Sequence, residues 1–153
     1  MRITGIEAIP IEIPLARNFG GSTYTVLKRS TVITRMRVDT GLVSEVYNGD
    51  NREHGREIAR LIHEALAPLV RGMSIFEGER VWERLFALTH AARERKTLLE
   101  AIACVDCALW DLVGKALGQN VCALLGEHNA AVYGGLLGLG ADEVARLERD
   151  GVI

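Results

Sequence analysis

The chain has little cysteine: three residues in 153, an odd number, which argues against a disulfide framework and leaves these side chains as thiols. It lacks any apolar run long enough to span a bilayer. Its opening stretch, MRITGIEAIPIEIPL, has a period-two pattern broken by Glu7, Glu12 and two prolines, so it lacks the continuous apolar core of a signal peptide. No sign of charge dominates: the formal charge is −2, and basic residues are interspersed with acidic ones, so no stripe suggests phosphate-backbone binding. These absences argue against membrane and nucleic-acid partners and predict a cytoplasmic location. What is present is an apolar fraction of 48% against 25% charged residues. That composition, at this length, is enough to bury one ordinary core and predicts a soluble globular protein.

The first third is strand-like. Ile3, Ile9, Ile11 and Ile13 keep an odd-numbered alternation interrupted by Gly5 and Glu7, and Val32, Ile33, Met36 and Val38 mark a second β-rich run. Asp39-Thr40-Gly41 is a turn signal, after which Leu42, Val43, Val46 and Tyr47 form a third short strand. A three-stranded antiparallel meander is the simplest arrangement. The polar, glycine-bearing stretch from Arg17 to Arg29 reads as a long loop between the first two strands.

From Asp50 the period becomes helical. Ile58, Leu61, Ile62, Ala65 and Leu66 make one apolar stripe. Ser74-Ile75-Phe76-Glu77 has the pattern of a capping box, in which serine and glutamate each satisfy a free backbone N–H, ahead of Val81, Trp82, Leu85 and Phe86. Thr97-Leu98-Leu99-Glu100 is a second such box, opening a helix through Ile102, Val105, Leu109, Leu112 and Val113 to Gly118, which can adopt the left-handed conformation that ends a helix. Strands followed by helices predict an α+β layer fold.

The last part changes character again. Ala130 to Leu137 is a short apolar run able to form a buried strand, Asp142 can cap a helix carrying Val144 and Leu147, and Val152 and Ile153 restart a strand. Strand, helix, strand is the opening of a parallel βα repeat. A single such unit cannot bury both faces of its strand, so the segment from about Ala130 is expected to be mobile or to drive self-association.

Several features carry little chemistry. Cys104 and Cys107 form a C-x-x-C pair inside a helical apolar pattern, with no second pair to complete four metal ligands, and read as small buried side chains. His54, His63, His90 and His128 show no metal-ligand spacing and read as structural or exposed. The glycines from Gly134 to Gly140 do not fall in the G-x-G-x-x-G spacing of a dinucleotide site.

One segment does carry a resemblance. Residues 101–118, AIACVDCALWDLVGKALG, are similar to the A-x-x-x-[IV]-[ED]-x-A-L-W-D-L-x-G-K-x-x-G stretch of the mandelate racemase/muconate lactonizing enzyme family, within the enolase superfamily. Leu124-Leu125-Gly126 resembles that family's L-L-G-G, and Pro14-Leu15, Phe19-Gly20-Gly21, Thr40-Gly41-Leu42-Val43 and Glu45 match its first loop and a following strand. The departures fall at turns and strand ends: Val121 stands where the family usually has proline, Glu127 replaces the second glycine of L-L-G-G, and Ser44 precedes Glu45 where a glycine is usual.

The resemblance implies a fold and a division of labour. Residues 1–126 would form the amino-terminal capping domain, a three-stranded meander followed by a three-helix layer, and 127–153 the first βα unit of a truncated (β/α)-barrel. In the family, barrel carboxylates hold magnesium, and a base, commonly in a Lys-x-Lys pair, removes the proton α to a substrate carboxylate. This chain shows no such ligands or base, and a barrel needs about 250 residues. The cap therefore contributes substrate contacts. The loop carrying Phe19, Gly20, Gly21, Ser22, Thr23 and Tyr24 looks like the family's mobile first loop, and Tyr47 and Asn48 like its second pocket-facing loop. The expected activity of a complete enzyme is magnesium-dependent racemisation, dehydration or cycloisomerisation of a small carboxylate substrate, with this chain inactive alone and a homo-oligomer or self-association expected. The alternative is a stand-alone α+β interaction module.

Overall fold

Three strands form one antiparallel sheet in the order β1-β2-β3: β1 (Ile3–Gly20), β2 (Thr25–Val38) and β3 (Val43–Asn48). This computed structural model describes the chain apart from residues 22, 24, 49–53, 122–132, 135–137, 151 and 153, and the side chain of Phe19. The meander follows from the β-branched alternation, and the Asp39 to Gly41 turn closes as expected, with Gly41 at φ +86° and its N–H on the Val38 carbonyl at 3.1 Å.

Two strand expectations are corrected. The odd-numbered isoleucines of β1 do not share a face. The register shifts between Ile3, opposite Val38, and Gly5, opposite Arg37, so one extra residue in β1 inverts the facing of everything after it. Ile3 and Ala8 are buried against the helices with Val32, Thr34, Met36 and Val38. Ile9, Ile11 and Ile13 lie on the opposite face, where Ile13 is 59% exposed. The stretch from Arg17 to Arg29 is not a long loop either. The strands continue as a two-stranded ribbon, with Phe19 opposite Val26 and Gly20 opposite Thr25, so the connection shrinks to 21–24. Polar side chains do not prevent this, because the ladder is made by backbone groups.

The helices pack on the core face. α1 (Gly55–Leu61) passes through a π-helical turn (Ile62–Leu66) into α2 (Ala67–Val70), where Ala67 donates its N–H five residues back to Ile62. Pro68 can donate no N–H and would crowd the carbonyl four residues earlier; the widened turn just before it relieves that crowding. Ile58, Ile62, Leu66 and Val70 are buried. The turn also directs His63 at the open edge of β1, where its Nε2 accepts the Ala8 N–H at 2.9 Å, a structural role for this histidine. Further along that edge Ile3 donates to Met73 O at 2.9 Å and Gly72 donates to Ile3 O at 2.8 Å.

α3 (Gly78–Phe86) follows the Ser74–Glu77 box, in which the Ser74 N–H donates to Glu77 Oε2 at 3.2 Å and the Phe76 N–H to Ser74 Oγ at 3.3 Å. The box closes a turn just ahead of the helix, because Glu77 itself has φ −99° and ψ 45°. α4 (Arg95–Leu117) starts two residues before the expected Thr97. Glu94 Oε1 accepts the Thr97 N–H at 3.2 Å, so the capping carboxylate comes from upstream and Thr97 is buried inside the first turn. The helix ends as expected: Gly118 has φ +64°, Gln119 donates to Gly114 O at 2.9 Å, and Gly118 donates to Lys115 O at 3.4 Å, the paired bonds of a Schellman motif.

The chain divides into two compact units, Met1–Val113 and Gly114–Ile153. The first holds the core, to which α4 contributes Leu98, Ala101, Ile102, Val105, Leu109 and Leu112. In the second, α5 (Ala141–Arg149) is capped by Gly140, whose carbonyl accepts the Glu143 and Val144 N–H groups at 3.0 Å. Asp142 lies in the first turn and does not cap it. The strand expected over Ala130 to Leu137 falls mostly outside the described residues; Tyr133 and Gly134, which are described, are in a π-helical turn. Val152 is exposed and not in a strand.

Candidate functional site

The loop residues singled out from the sequence sit at two separate places. Gly20 ends β1 and is exposed, Phe19 pairs through its backbone with Val26, and Thr23 lies in an exposed bend; Ser22 and Tyr24 fall outside the described residues. The ribbon leading to this tip is held by Lys28 on Glu12 at 2.7 Å, and its Ile13 and Leu27 are 59% and 60% exposed. Tyr47 and Asn48 lie at the end of β3, where Asn48 pairs with Val32. Along β2 the hairpin end at Thr25 is seven residues from Val32, roughly 23 Å of strand at about 3.3 Å per residue. The ribbon thus runs well past the end of β3.

Tyr47 and Asn48 also face opposite ways, since successive side chains on a strand alternate. Tyr47, opposite Ile33, is on the outer face and 68% exposed. Asn48 points to the helical side, where the Thr34 hydroxyl donates to its Oδ1 at 2.9 Å; the Thr31 hydroxyl donates to its backbone oxygen at 2.8 Å. Asn48 is therefore tied to β2 and does not cap α1, which starts after His54 with no side-chain cap. Thr34 escaped sequence reading, although a polar residue alternating with Val32 and Met36 on a buried strand face was the available signal.

Thr34 is fully buried, and the Cys104 thiol is its hydrogen-bonding neighbour on α4. Burial pushes the Cys104 thiol up to about 11. The expectation that both members of the C-x-x-C pair are buried holds for Cys104 only: Cys107 is exposed, one helical turn on. Its thiol is pushed upward by desolvation and by the charge of Asp106, a half-buried carboxyl itself raised by burial. Both cysteines are thus thiols at neutral pH. With iodoacetamide at pH 7.5, peptide mass spectrometry should find Cys104 unmodified in the folded chain and Cys107 modified slowly, faster as pH rises toward 9 and the thiolate fraction grows. Rapid labelling of Cys104 would contradict this reading.

The outer face carries a charge cluster where the apolar alternation breaks. Arg35 donates from Nε to Glu45 at 2.6 Å and reaches Glu7 at 3.1 Å, and Arg37 reaches Glu7 at 3.2 Å. The Arg37 hydrogen bond, with Arg35 behind it, holds the Glu7 carboxyl below the usual range; Lys28 does the same for Glu12. Among the described residues no three histidine, cysteine or carboxylate side chains converge as metal ligands. The donor set does not fit magnesium, which asks for several carboxylate or carbonyl oxygens around one point, whereas Glu7 and Glu12 are each turned onto a cation. In the second unit, a hollow of about 290 Å³ lined by Gly134, Leu139, Ala141, Val144, Ala145 and Glu148 offers a single carboxylate among apolar groups. No described helix is long and apolar enough to cross a membrane.

The sheet, the helical layer and the A-L-W-D-L segment on α4 can now be set beside known proteins. The model of the mandelate racemase/muconate lactonizing enzyme N-terminal domain matches residues 6–126. This chain belongs to that family.

Its relatives include a D-galactonate dehydratase family member of Paenibacillus sp. (strain JDR-2), 30% identical over 97% of this chain and 33% of that protein. A D-mannonate dehydratase of Xanthomonas oryzae pv. oryzicola is 33% identical over 82% of this chain and 31% of its own length. Among solved structures, a mandelate racemase/muconate lactonizing enzyme shares 44% identity with a TM-score of 0.72, over 76% of this chain and 32% of that one. Another, from a marine actinobacterium and in complex with magnesium, shares 39% with a TM-score of 0.64, over 76% of this chain and 30% of that one. The chain thus spans about a third of the length of the relatives it matches. Its three-stranded sheet followed by helices is the capping-domain fold of the enolase superfamily.

Proposed function

We propose that this chain supplies the substrate-capping part of an acid-sugar dehydratase of the mandelate racemase/muconate lactonizing enzyme family, and that it is inactive without a barrel domain. The observation that carries this reading is the family match over residues 6–126 combined with relatives named as a D-galactonate dehydratase family member and a D-mannonate dehydratase, each about three times as long. In such an enzyme the magnesium and the base belong to the barrel. An α-proton is too weakly acidic to leave unless the developing oxyanion meets a fixed positive charge in a water-poor site. The cap's part is to bind the distal end of the substrate and exclude water. The residues assigned to it are Phe19, Gly20, Ser22, Thr23 and Tyr24, between the first two strands in sequence, and Tyr47 and Asn48 at the end of β3. The hydroxyl-bearing composition of the 22–24 stretch suits a polyhydroxy acid.

A chimera tests this. Residues 1–126 replace the corresponding part of the Xanthomonas D-mannonate dehydratase, and dehydration of a panel of sugar acids is followed with magnesium present. The chimera should turn over at least one sugar acid, while the chain alone gives only background α-proton exchange in deuterium oxide. A folded chimera inert toward the whole panel, or enzyme-dependent exchange by the chain alone, would sink the proposal.

A further inference from the structure

The open edge of β1 is fastened to the segments that follow it by bonds of two kinds. At its start Ile3 donates to Met73 O at 2.9 Å and Gly72 donates to Ile3 O at 2.8 Å, backbone to backbone. Further along, the strand's partner is a side chain: the Ala8 N–H donates to His63 Nε2 at 2.9 Å. We infer that His63 is a pH-sensitive latch at the root of the β1–β2 ribbon, closed by a neutral imidazole and opened by its protonation.

Ala8 pairs with Thr34, and Pro10 with Val32, which is itself opposite Asn48 at the end of β3. Beyond that row β1 and β2 run on as a two-stranded ribbon, and Pro10 has no N–H with which to make a fastening of its own. The histidine bond therefore stands just before β1 leaves the three-stranded part of the sheet. A π-helical turn, Ile62–Leu66, presents the ring, and such turns gather at functional sites.

The Ala8 N–H can only donate, so the ring nitrogen that accepts it is bare and the neutral imidazole carries its hydrogen on Nδ1. Protonation places a hydrogen on Nε2 as well, and donor then faces donor. The bond thus exists with the neutral ring and is lost as pH falls through the range of about 8 to 5 in which histidine side chains gain charge. His63 is exposed while Ala8 is buried, so solvent protons reach the ring although the strand it holds stays in the core. The turn packs against β1, α1 and α2, whose charged groups are directed elsewhere. On β1, Glu7 faces Arg35 and Arg37 on the outer face, Glu12 holds Lys28, and Arg17 lies far out on the ribbon. On α1, Arg60 bridges Glu57 and Glu64, while the nearby charges of His54 and Arg56 act on Glu57 and Glu12. α2 carries no charged side chain.

The test uses the full chain, ¹⁵N-labelled, with the His63 ring signals identified by their loss in His63→Gln. At about pH 8 a long-range proton–nitrogen spectrum should show the hydrogen on Nδ1 and Nε2 bare. Amide exchange, corrected for the intrinsic rate at each pH, should show the protection of Ala8 falling about tenfold between about pH 8 and about pH 5, the loss expected when a buried donor gives up its partner. The Ile3 amide, on the same edge but bonded to a carbonyl, should keep its protection and reports that the fold is intact. In His63→Gln the side-chain carbonyl can accept the Ala8 N–H and does not titrate, so Ala8 should be equally protected at both pH values. A hydrogen on Nε2 at about pH 8, or Ala8 protection that does not change with pH in the wild-type chain, overturns the latch. Equal losses at Ile3 and Ala8 would mean general loosening instead, and a loss that persists in His63→Gln would place the titrating group elsewhere; either result also overturns it.

Discussion

Leu109→Ala is expected to lower the melting temperature of the chain by roughly 4–20 °C. Leu109 is 1% exposed at the middle of α4, facing the start of α3: a Cβ built on Gly78 would stand 3.9 Å from its Cδ2. Truncating a buried leucine removes its transfer free energy and leaves a cavity, for about 2–5 kcal/mol in all. That is a large share of the roughly 5–15 kcal/mol holding a domain together. α4 carries further buried side chains on either side of Leu109, Ile102 and Val105 before it and Leu112 after it, so the site cannot relax locally without disturbing them. Leu27→Ala is the matched control, because Leu27 is 60% exposed on the ribbon and its loss should change stability by less than about 0.5 kcal/mol. Calorimetric melting of the two variants decides the matter. Similar shifts for both would mean that α4 is not the centre of the core.

The second large effect is expected at a glycine whose loss helix propensity alone would welcome. Gly114 lies inside α4, where glycine to alanine ordinarily stabilises by about 1 kcal/mol. Here a Cβ would stand 2.9 Å from the Gln119 carbonyl oxygen and 3.3 Å from Val121 Cγ2. Gln119 cannot simply retreat, because its own N–H is bound to the Gly114 oxygen at 2.9 Å. Relieving the overlap means opening the Schellman motif, so Gly114→Ala should destabilise by about 1–3 kcal/mol from overpacking and expose the helix end. Gly118→Ala should cost about 1–2 kcal/mol, the ordinary penalty for a side chain at φ +64° with open space around it. Chemical denaturation of both variants gives the comparison. A Gly114→Ala chain more stable than wild type would show that the turn after α4 yields freely.

These two glycines mark where reading the chain works and where it stops. Gly118 was legible because the end of an apolar helical pattern followed by glycine is a local signal. Gly114 was not, because its requirement comes from the carbonyl of a residue that folds back onto it. The facing of β1 divides in the same way. Alternation showed a strand, but one extra residue near Thr4 moved Ile9, Ile11 and Ile13 to the outer face; the breaks at Gly5 and Glu7 marked the irregularity without showing which face each isoleucine would take. Glu94 took the capping role expected of Thr97 because a glutamate upstream could also reach the free N–H.

By itself, the sequence determined the meander order, the helical character of the middle of the chain, the end of α4 and, through its separated motifs, the family, but not the strand pairing through Arg17 to Arg29. Each of these depends on periodicity or on residues close together in the chain, where a residue's own chemistry dictates its conformation. Tertiary structure alone decided which of Tyr47 and Asn48 faces the helices, that the hairpin runs past β3 as a ribbon, and that Thr34 and Cys104 stand behind Asn48. Those facts depend on strand register and on which helix covers which face, and both are set by the packing of residues tens of positions apart.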